Sequence, residues 1–207
     1  MTPEAISSER PVARRSYAKT AMRKKQIVEA ATAVFATRGY NGGSLREIAG
    51  QLDVGLTSLV HHFPEKTALL QAVLEHADDI GNGAFHDNCR RFGVRYGVLD
   101  LVERNFGHPE LLRMLAILGA ECSSPEHPGH PWFVERYARS REDYGAKVRF
   151  DQERGLIPAH HDPAVVAELI VSVWEGAQLQ WLIDPSRASM LRVMEAFFDD
   201  LGARSAR

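Results

Sequence analysis

Apolar residues recur every three or four positions along almost the whole chain from residue 19 onward, which is the spacing of amphipathic α-helices. The first apolar stripe consists of Ile27, Ala30, Ala31, Val34 and Phe35. It ends at Gly39, a residue that favours the left-handed backbone of a helix end. Alternating runs typical of strands extend over only two or three residues. We therefore predict an all-α fold of about nine helices.

A helix-turn-helix is predicted over residues 44–63, which read SLREIAGQLDVGLTSLVHHF. Ser44 and Glu47 have the spacing of a capping box, so a helix should begin there. The stretch from Asp53 to Gly55 interrupts the apolar pattern after two turns, and a second short helix follows at about 56–62. A small core would fix the angle between the two helices; it consists of Leu45, Ile48, Ala49, Val54 and Leu59.

The second helix of this unit keeps one face free for a partner. The residues on that face are short or can form hydrogen bonds, and they are Leu56, Thr57, Ser58, His61 and His62. A major groove about 12 Å wide accepts one helix, and such side chains can bind base edges or phosphates. Pro64 suits the first position of the next helix, so Lys66 would lie in its first turn. Lys66 and Arg46 are therefore predicted phosphate contacts, with double-stranded DNA as the partner.

The charge distribution supports a polyanionic partner for the first third of the chain only. The 207 residues carry a net charge of −2. Residues 1–66 hold ten Lys/Arg and six Asp/Glu, whereas residues 67–207 hold fifteen and twenty-one. We predict a flexible arm over 1–18, whose Arg14 and Arg15 add DNA contacts together with Lys19 just beyond it. A solvated basic tail remains the alternative.

Residues 23–74 resemble the DNA-binding domain of the TetR-like transcriptional regulators. The resemblance is carried by Ile27, Ala30, Ala31, Phe35, Gly39, Tyr40, Ser44, Ile48, Ala49, Val54, Ser58, Leu59, His62, Phe63, Lys66, Leu69 and Leu70. The family usually has Gly where this chain has Asp53, and Tyr where it has Val60. The resemblance implies a homodimeric repressor that binds a palindromic operator and releases it when a small apolar or amphipathic effector binds.

The resemblance also implies three parts: the arm 1–18, a DNA-binding domain 19–66, and a domain 67–207 that dimerises and binds the effector. The last two helices are apolar on more than one face, so they should be buried on two sides. The predicted dimer interface consists of Leu169, Val173, Leu182, Leu191, Met194 and Phe198. A wide core within one chain is the alternative.

An effector pocket is predicted among apolar and aromatic residues that alternate with a few polar ones. The candidates are Glu121, Tyr137, Trp174, Gln178 and Trp181. Apolar walls with few polar groups suit a small-molecule site, although they also suit an ordinary core.

Other classes of function are disfavoured by what the sequence lacks. There is no uncharged run of about 18 apolar residues, and the first residues are too polar for a secretory signal. Two cysteines make no disulfide framework, which indicates the cytoplasm. Glycine-rich phosphate loops and nucleophile elbows are missing, so we predict no enzyme and no cofactor. A helical protein-interaction or metal-sensing module without operator binding remains the alternative. Its best metal candidates are two clusters, one of His127 and His130 and one of His160, His161 and Asp162.

Overall fold

The computed structural model describes residues 11–79 and 82–206, and the side chains within 19–78 and 84–206. These residues form ten α-helices and no strand, which confirms the all-α prediction. The helices are α1 (Pro11–Gly42), α2 (Leu45–Gln51), α3 (Leu56–His62), α4 (Lys66–Asp79), α5 (Asn82–Phe92), α6 (Val94–Asn105), α7 (Pro109–Glu121), α8 (His130–Glu153), α9 (Pro163–Ile183) and α10 (Met190–Asp200). No helix in this part of the chain is both long enough and apolar enough to cross a bilayer.

The first hydrophobic core joins the helix-turn-helix to the body of the protein. Helices α1 to α4 surround Phe35, Ile48, Leu59 and Leu70, which are at most 2% exposed. The core continues into α7 and the start of α8, and α7 packs against α1. The helix-turn-helix is therefore supported by a helix of the body as well as by its own three-helix core.

The second core is built from α5, α6, α8, α9 and α10. Asp151 is buried within it and accepts a hydrogen bond from the backbone N–H of Val94 through Oδ2, at 2.6 Å. This bond pairs one of the free N–H groups at the start of α6. Gly93 precedes it with φ +95°, and a Cβ at that position would lie 2.9 Å from the same carboxylate.

The helices differ from the predictions in three places. Helix α5 was missed because few apolar residues mark it, although Phe85, Cys89 and Phe92 have the spacing of one helical face and the first two are buried. Helix α4 begins at Lys66, after a bend at Pro64. Residues 11–18, assigned to the arm, are the first residues of α1; residues 1–10 and the side chains of Arg14 and Arg15 lie outside the described part of the chain.

Candidate nucleic-acid interface and internal cavity

The turn between α2 and α3 is fixed by local hydrogen bonds. The Ser44 hydroxyl accepts from the backbone N–H of Glu47 at 3.1 Å, which confirms one half of the predicted capping box. The Glu47 carboxylate lies 3.7 Å from Arg38. Asp53 takes a left-handed backbone with φ +51°, the conformation for which glycine is favoured. The N–H of Val54 then bonds to the carbonyl of Ala49 at 3.0 Å and closes the turn.

Helix α3 buries Leu59 completely and turns its other side chains outward. Leu56 is 37% exposed, and Thr57, Ser58 and His61 are exposed as well. His62 is half-buried, and Arg46 on α2 is exposed. These residues form one accessible surface, which we call the reading face. It has the size and hydrogen-bonding groups that a major groove accepts.

Basic residues of α1 adjoin the reading face. Burial holds the pKa of His62 below its usual value, and the positive charges of His61, Lys24 and Arg23 lower it further. Lys24 and Arg23 were missed by the sequence-based reasoning, which chose Arg14, Arg15 and Lys19 on the same helix. The signal that could have found them is the run RKK at 23–25, just before the first apolar stripe.

Lys66 is half-buried at the first residue of α4 rather than extended into solvent. Its Nζ lies 4.3 Å from the centre of the Tyr40 ring, within reach of a cation–π interaction. Burial lowers the pKa of Lys66, and the nearby Glu121 carboxylate opposes that shift. Lys66 therefore belongs to a contact between the start of α4, the end of α1 and the end of α7.

Glu121 attaches the end of α7 to the end of α1. Its Oε2 accepts a hydrogen bond from the backbone N–H of Tyr40 at 2.7 Å. Gly39 leaves the helical backbone there with φ +67° and ψ −179°, and a Cβ on it would lie 2.3 Å from Oε1 of Glu121. This position corrects the prediction that Glu121 contacts an effector, because the carboxylate faces the α1 terminus and not the cavity described below.

His127 packs beside the same contact and is buried. Its Nδ1 accepts from the backbone N–H of Gly129 at 3.1 Å and lies 3.0 Å from the Cys122 sulfur. Its Nε2 has no hydrogen-bond partner and is 3.9 Å from the Glu121 carboxylate. Burial raises the pKa of the Cys122 thiol to about 11, so the thiol stays protonated and is a poor nucleophile.

His127 and His130, which the metal-sensing alternative singled out, use ring nitrogens in contacts within the chain. Nδ1 of His127 is occupied as described, and Nδ1 of His130 lies 2.7 Å from the carbonyl oxygen of Cys122. Over residues 11–79 and 82–206, no group of three or more His, Cys, Asp or Glu residues is arranged to hold a metal ion.

A cavity of about 410 Å³ lies between the two cores. Its walls come from α4, α6, α7, α8 and α9, and they include Asp78, Asn105, Leu111, Leu112, Leu115, Phe133, Arg136, Tyr137, Tyr144, Trp174, Glu175 and Gln178. The volume falls within the range of small-molecule sites. Helix α7 supplies one wall and packs on α1 with another face, so the cavity and the helix-turn-helix share a structural element.

Three of the five predicted pocket residues line this cavity: Tyr137, Trp174 and Gln178. The Gln178 side chain is 6% exposed and both of its polar atoms are bonded, since it accepts from the Trp174 indole N–H at 3.0 Å and donates to the Leu112 carbonyl at 3.3 Å. Trp181 lies outside the cavity, which corrects its assignment; its ring centre is 5.1 Å from that of Phe106.

The outer surface of α9 and α10 differs from the predicted dimer interface. Met194 and Phe198 are completely buried in the chain's own second core, which corrects their assignment to a partner contact. Val173, Leu182 and Leu191 are half-buried, whereas Leu169 is 43% exposed. Large apolar residues that the prediction omitted are exposed beside it, namely Val165, Leu179, Ile183 and Val193.

Six apolar or small residues among the exposed positions of α9 form one stripe with alternating spacings of four and three, which we call the outer stripe. It consists of Val165, Leu169, Ser172, Gly176, Leu179 and Ile183. Such spacing keeps side chains on one face of a helix. Gly176 has an open surrounding, since a Cβ there would meet nothing within 4 Å. The small residues at its centre leave room for another helix to approach closely.

Comparisons with known proteins agree with this architecture. Residues 27–73 match the family model described as bacterial regulatory proteins, tetR family. The HTH-type transcriptional repressor SCO4008 of Streptomyces coelicolor is 31% identical over 134 residues, which are 65% of this chain and 67% of that protein. The A-factor receptor protein of Streptomyces griseus is 27% identical over 188 residues, and the match covers 80% of this chain but only 57% of the receptor. A solved TetR-family regulator from Cytophaga hutchinsonii shares the fold, with a TM-score of 0.73 at 15% identity over 91% of this chain and 98% of that one.

Proposed function

The chain belongs to the TetR family of DNA-binding transcriptional regulators, and from this premise we propose that it is a cytoplasmic, dimeric repressor. It binds a palindromic operator and releases it when a small apolar or amphipathic effector enters the cavity. The observation that carries the proposal is the shared wall: α7 lines the cavity and also packs along α1 of the DNA-reading unit. The two free, buried cysteines suit a reducing compartment.

The reading face supplies the DNA contacts in this proposal. Leu56 can meet a thymine methyl, while Thr57, Ser58 and His61 can form hydrogen bonds with base edges. Arg46 contributes a phosphate contact from α2, and His62 and Lys66 border the same groove. Arg23 and Lys24 of α1 extend the basic surface toward the neighbouring backbone.

Dimerisation through the outer stripe would present two reading faces to one duplex. One helix-turn-helix contacts too few phosphates and bases for tight and selective binding, whereas a two-fold dimer doubles the contacts and sets the spacing of the half-sites. In a two-fold dimer, the outer stripe of one subunit meets the same stripe of its partner. The stripe suits this arrangement because large residues flank the small Ser172 and Gly176. Pairing of α9 and α10 with their copies gives a four-helix interface.

Effector control would act through a population shift. We divide the chain into a DNA-binding unit 19–66 and a dimerisation and effector unit 67–207, joined by α4 and by the contact of α7 with α1. A ligand changes the operator affinity only if it binds one arrangement of these helices better than the other. The A-factor receptor, a relative at 27% identity, is named as a receptor, which supports ligand control in this chain.

Selection from a random DNA pool tests the DNA-binding part of the proposal. The purified protein should enrich a palindrome, and the affinity for it should fall steeply with salt. Loss of one phosphate contact in each subunit reduces the slope of log K against log salt by about 1.8. R46A and K66A should each show that change, whereas R141A, an exposed arginine of α8, should not. A pool without an enriched palindrome would favour the helical protein-interaction module.

Sedimentation equilibrium tests the interface. Leu169→Glu and Ile183→Glu each place a charge on the outer stripe, and each should raise the dimer dissociation constant at least tenfold because a buried, unpaired charge is costly. Val134→Glu is the matched control, since Val134 is 54% exposed on α8. Dimers that persist unchanged in both stripe variants would contradict this interface.

A further inference from the structure

We propose that the cavity binds an amphipathic organic cation, with its positive head against Glu175 and the surrounding aromatic rings and its apolar part against α7. This inference rests on the proposed effector role of the cavity and adds the chemical class of its ligand. The ligand's identity within that class is left to experiment.

Aromatic rings dominate the side of the cavity formed by α8 and α9. Phe133, Tyr137 and Tyr144 come from α8, and Trp174 comes from α9. The indole N–H of Trp174 already donates to Gln178, so this residue offers a ligand its ring surface. Ring faces carry partial negative charge and attract organic cations, most strongly once the cation has lost its water.

Glu175 supplies the full negative charge. It lines the cavity next to Trp174 and is exposed, which puts it where the cavity meets solvent. Its Oε1 accepts a hydrogen bond from the Tyr137 hydroxyl at 2.6 Å. Burial and this carboxylate hold the pKa of Tyr137 above its usual value, so the hydroxyl remains a neutral donor. Among the described residues, no Lys, Arg or His forms an ion pair with Glu175.

Among the described residues, the other charged groups of the cavity wall, Asp78 and Arg136, are paired with opposite charges. Asp78 receives Arg136 on one carboxylate oxygen and Arg139 on the other, at 2.9 Å for Arg139. Arg139 also lies 4.0 Å from Glu135. This group holds two positive and two negative charges. An anionic ligand would meet an Arg136 whose charge is already paired with Asp78, whereas a cation meets a carboxylate that accepts from a neutral hydroxyl.

The wall formed by α7 is apolar and suits the apolar part of the ligand. Leu111, Leu112 and Leu115 of α7 line it, together with the small residues Ala116 and Gly119. A cation with an alkyl or aromatic tail can therefore keep its head at the rim and bury its tail against α7. Apolar burial of this kind contributes affinity without competing for the head group.

Three probes with the same eight-carbon tail separate the charge classes: octyltrimethylammonium, octanoate and 1-octanol. Binding to the full chain is followed by calorimetry and by the intrinsic tryptophan fluorescence, to which Trp132 and Trp181 contribute besides Trp174. We expect octyltrimethylammonium to bind at least tenfold tighter than either of the others. Glu175→Gln should raise the dissociation constant of octyltrimethylammonium about tenfold. This lies between the small effect of losing an exposed charge pair and the large effect of losing a desolvated one. Glu168→Gln is the control, because Glu168 is an exposed carboxylate seven residues earlier on α9 and outside the cavity.

Each other result overturns a defined part of the reasoning. Octanoate or 1-octanol binding as tightly as the cation would overturn the cation class while leaving the cavity as an effector site. Equal binding of the cation to wild type and Glu175→Gln would overturn the role of Glu175. If none of the three probes binds at millimolar concentration, both the cation class and the effector role of the cavity fall.

Discussion

Substitution of Gly39 by alanine tests the contact that joins the cavity wall to the DNA-reading unit. The added Cβ would lie 2.3 Å from Oε1 of Glu121 and 2.8 Å from its Cδ. The carboxylate is the end of a flexible side chain and can swing away. It then loses its hydrogen bond from the Tyr40 N–H, so the cost is the lost bond rather than the overlap itself.

The expected loss in the free energy of unfolding of Gly39→Ala has two contributions. The backbone of Gly39, with φ +67° and ψ −179°, lies in a region used almost only by glycine, and a side chain there costs about 1–3 kcal/mol. Loss of a hydrogen bond to a charged group costs about 1.5–3 kcal/mol. Together they give about 4 kcal/mol, which for a chain of this size lowers the melting temperature by about 8–16 °C.

Differential scanning calorimetry measures this change, and Gly155→Ala is the matched control. Gly155 has φ +68°, but a Cβ there would meet nothing within 4 Å, so only the backbone term applies. A second control is Gly39→Ala combined with Glu121→Ala, in which the hydrogen bond is absent from the start and the alanine adds strain alone. The reasoning is refuted if Gly39→Ala destabilises the protein no more than Gly155→Ala.

Four further predictions concern single features of the fold. Asp53→Gly should stabilise the protein by about 0.5–1 kcal/mol, because glycine tolerates φ +51° better than aspartate; a lower melting temperature would contradict this. Asp151→Ala should cost about 1–3 kcal/mol more than Asp151→Asn, since asparagine can still accept from the Val94 N–H. Burial raises the pKa of Asp151 above its usual 3.8, so between the two pKa values the folded state binds more protons than the unfolded state. The free energy of unfolding of wild type should therefore fall relative to that of Asp151→Asn as pH rises from 4 to 7, as measured by urea titration. A difference that stays constant with pH would contradict this. Burial raises the pKa of Cys89 to about 12 and that of Cys122 to about 11, so iodoacetamide at pH 8 should label both only after unfolding, as read by mass spectrometry; rapid labelling of the native protein would refute it.

Most helices were predictable because their information is local. The apolar spacing, the capping box at Ser44 and the prolines near helix starts determine elements without reference to distant residues. Helix α5 was missed because only a few apolar residues mark it, and its face becomes recognisable once Phe85 and Cys89 are seen to be buried. Its existence depends on packing as much as on its own sequence.

The reading face could be predicted for the same reason, whereas the cavity and the outer stripe could not. On α3, one buried residue, Leu59, defines which side faces the core and therefore which side is free. On α9, nearly every side is apolar, so the pattern does not say which residues pack within the chain. The same holds between α9 and α10: Ile183 of α9 and Phe198 of α10 are both apolar, yet Phe198 is fully buried and Ile183 is 75% exposed.

By itself, the sequence determined the helical class, the helix-turn-helix and the face of α3 that is left exposed, because these depend on neighbours within two or three turns. Only the tertiary structure decided that Glu121 holds the end of α1, that Glu175 faces the cavity with no ion pair among the described residues, and that the outer stripe is exposed on the single chain. Each of these depends on the distance between residues far apart in the chain, 81 positions for Tyr40 and Glu121. Such distances follow from how the helices pack, which a one-dimensional pattern of apolar residues leaves open.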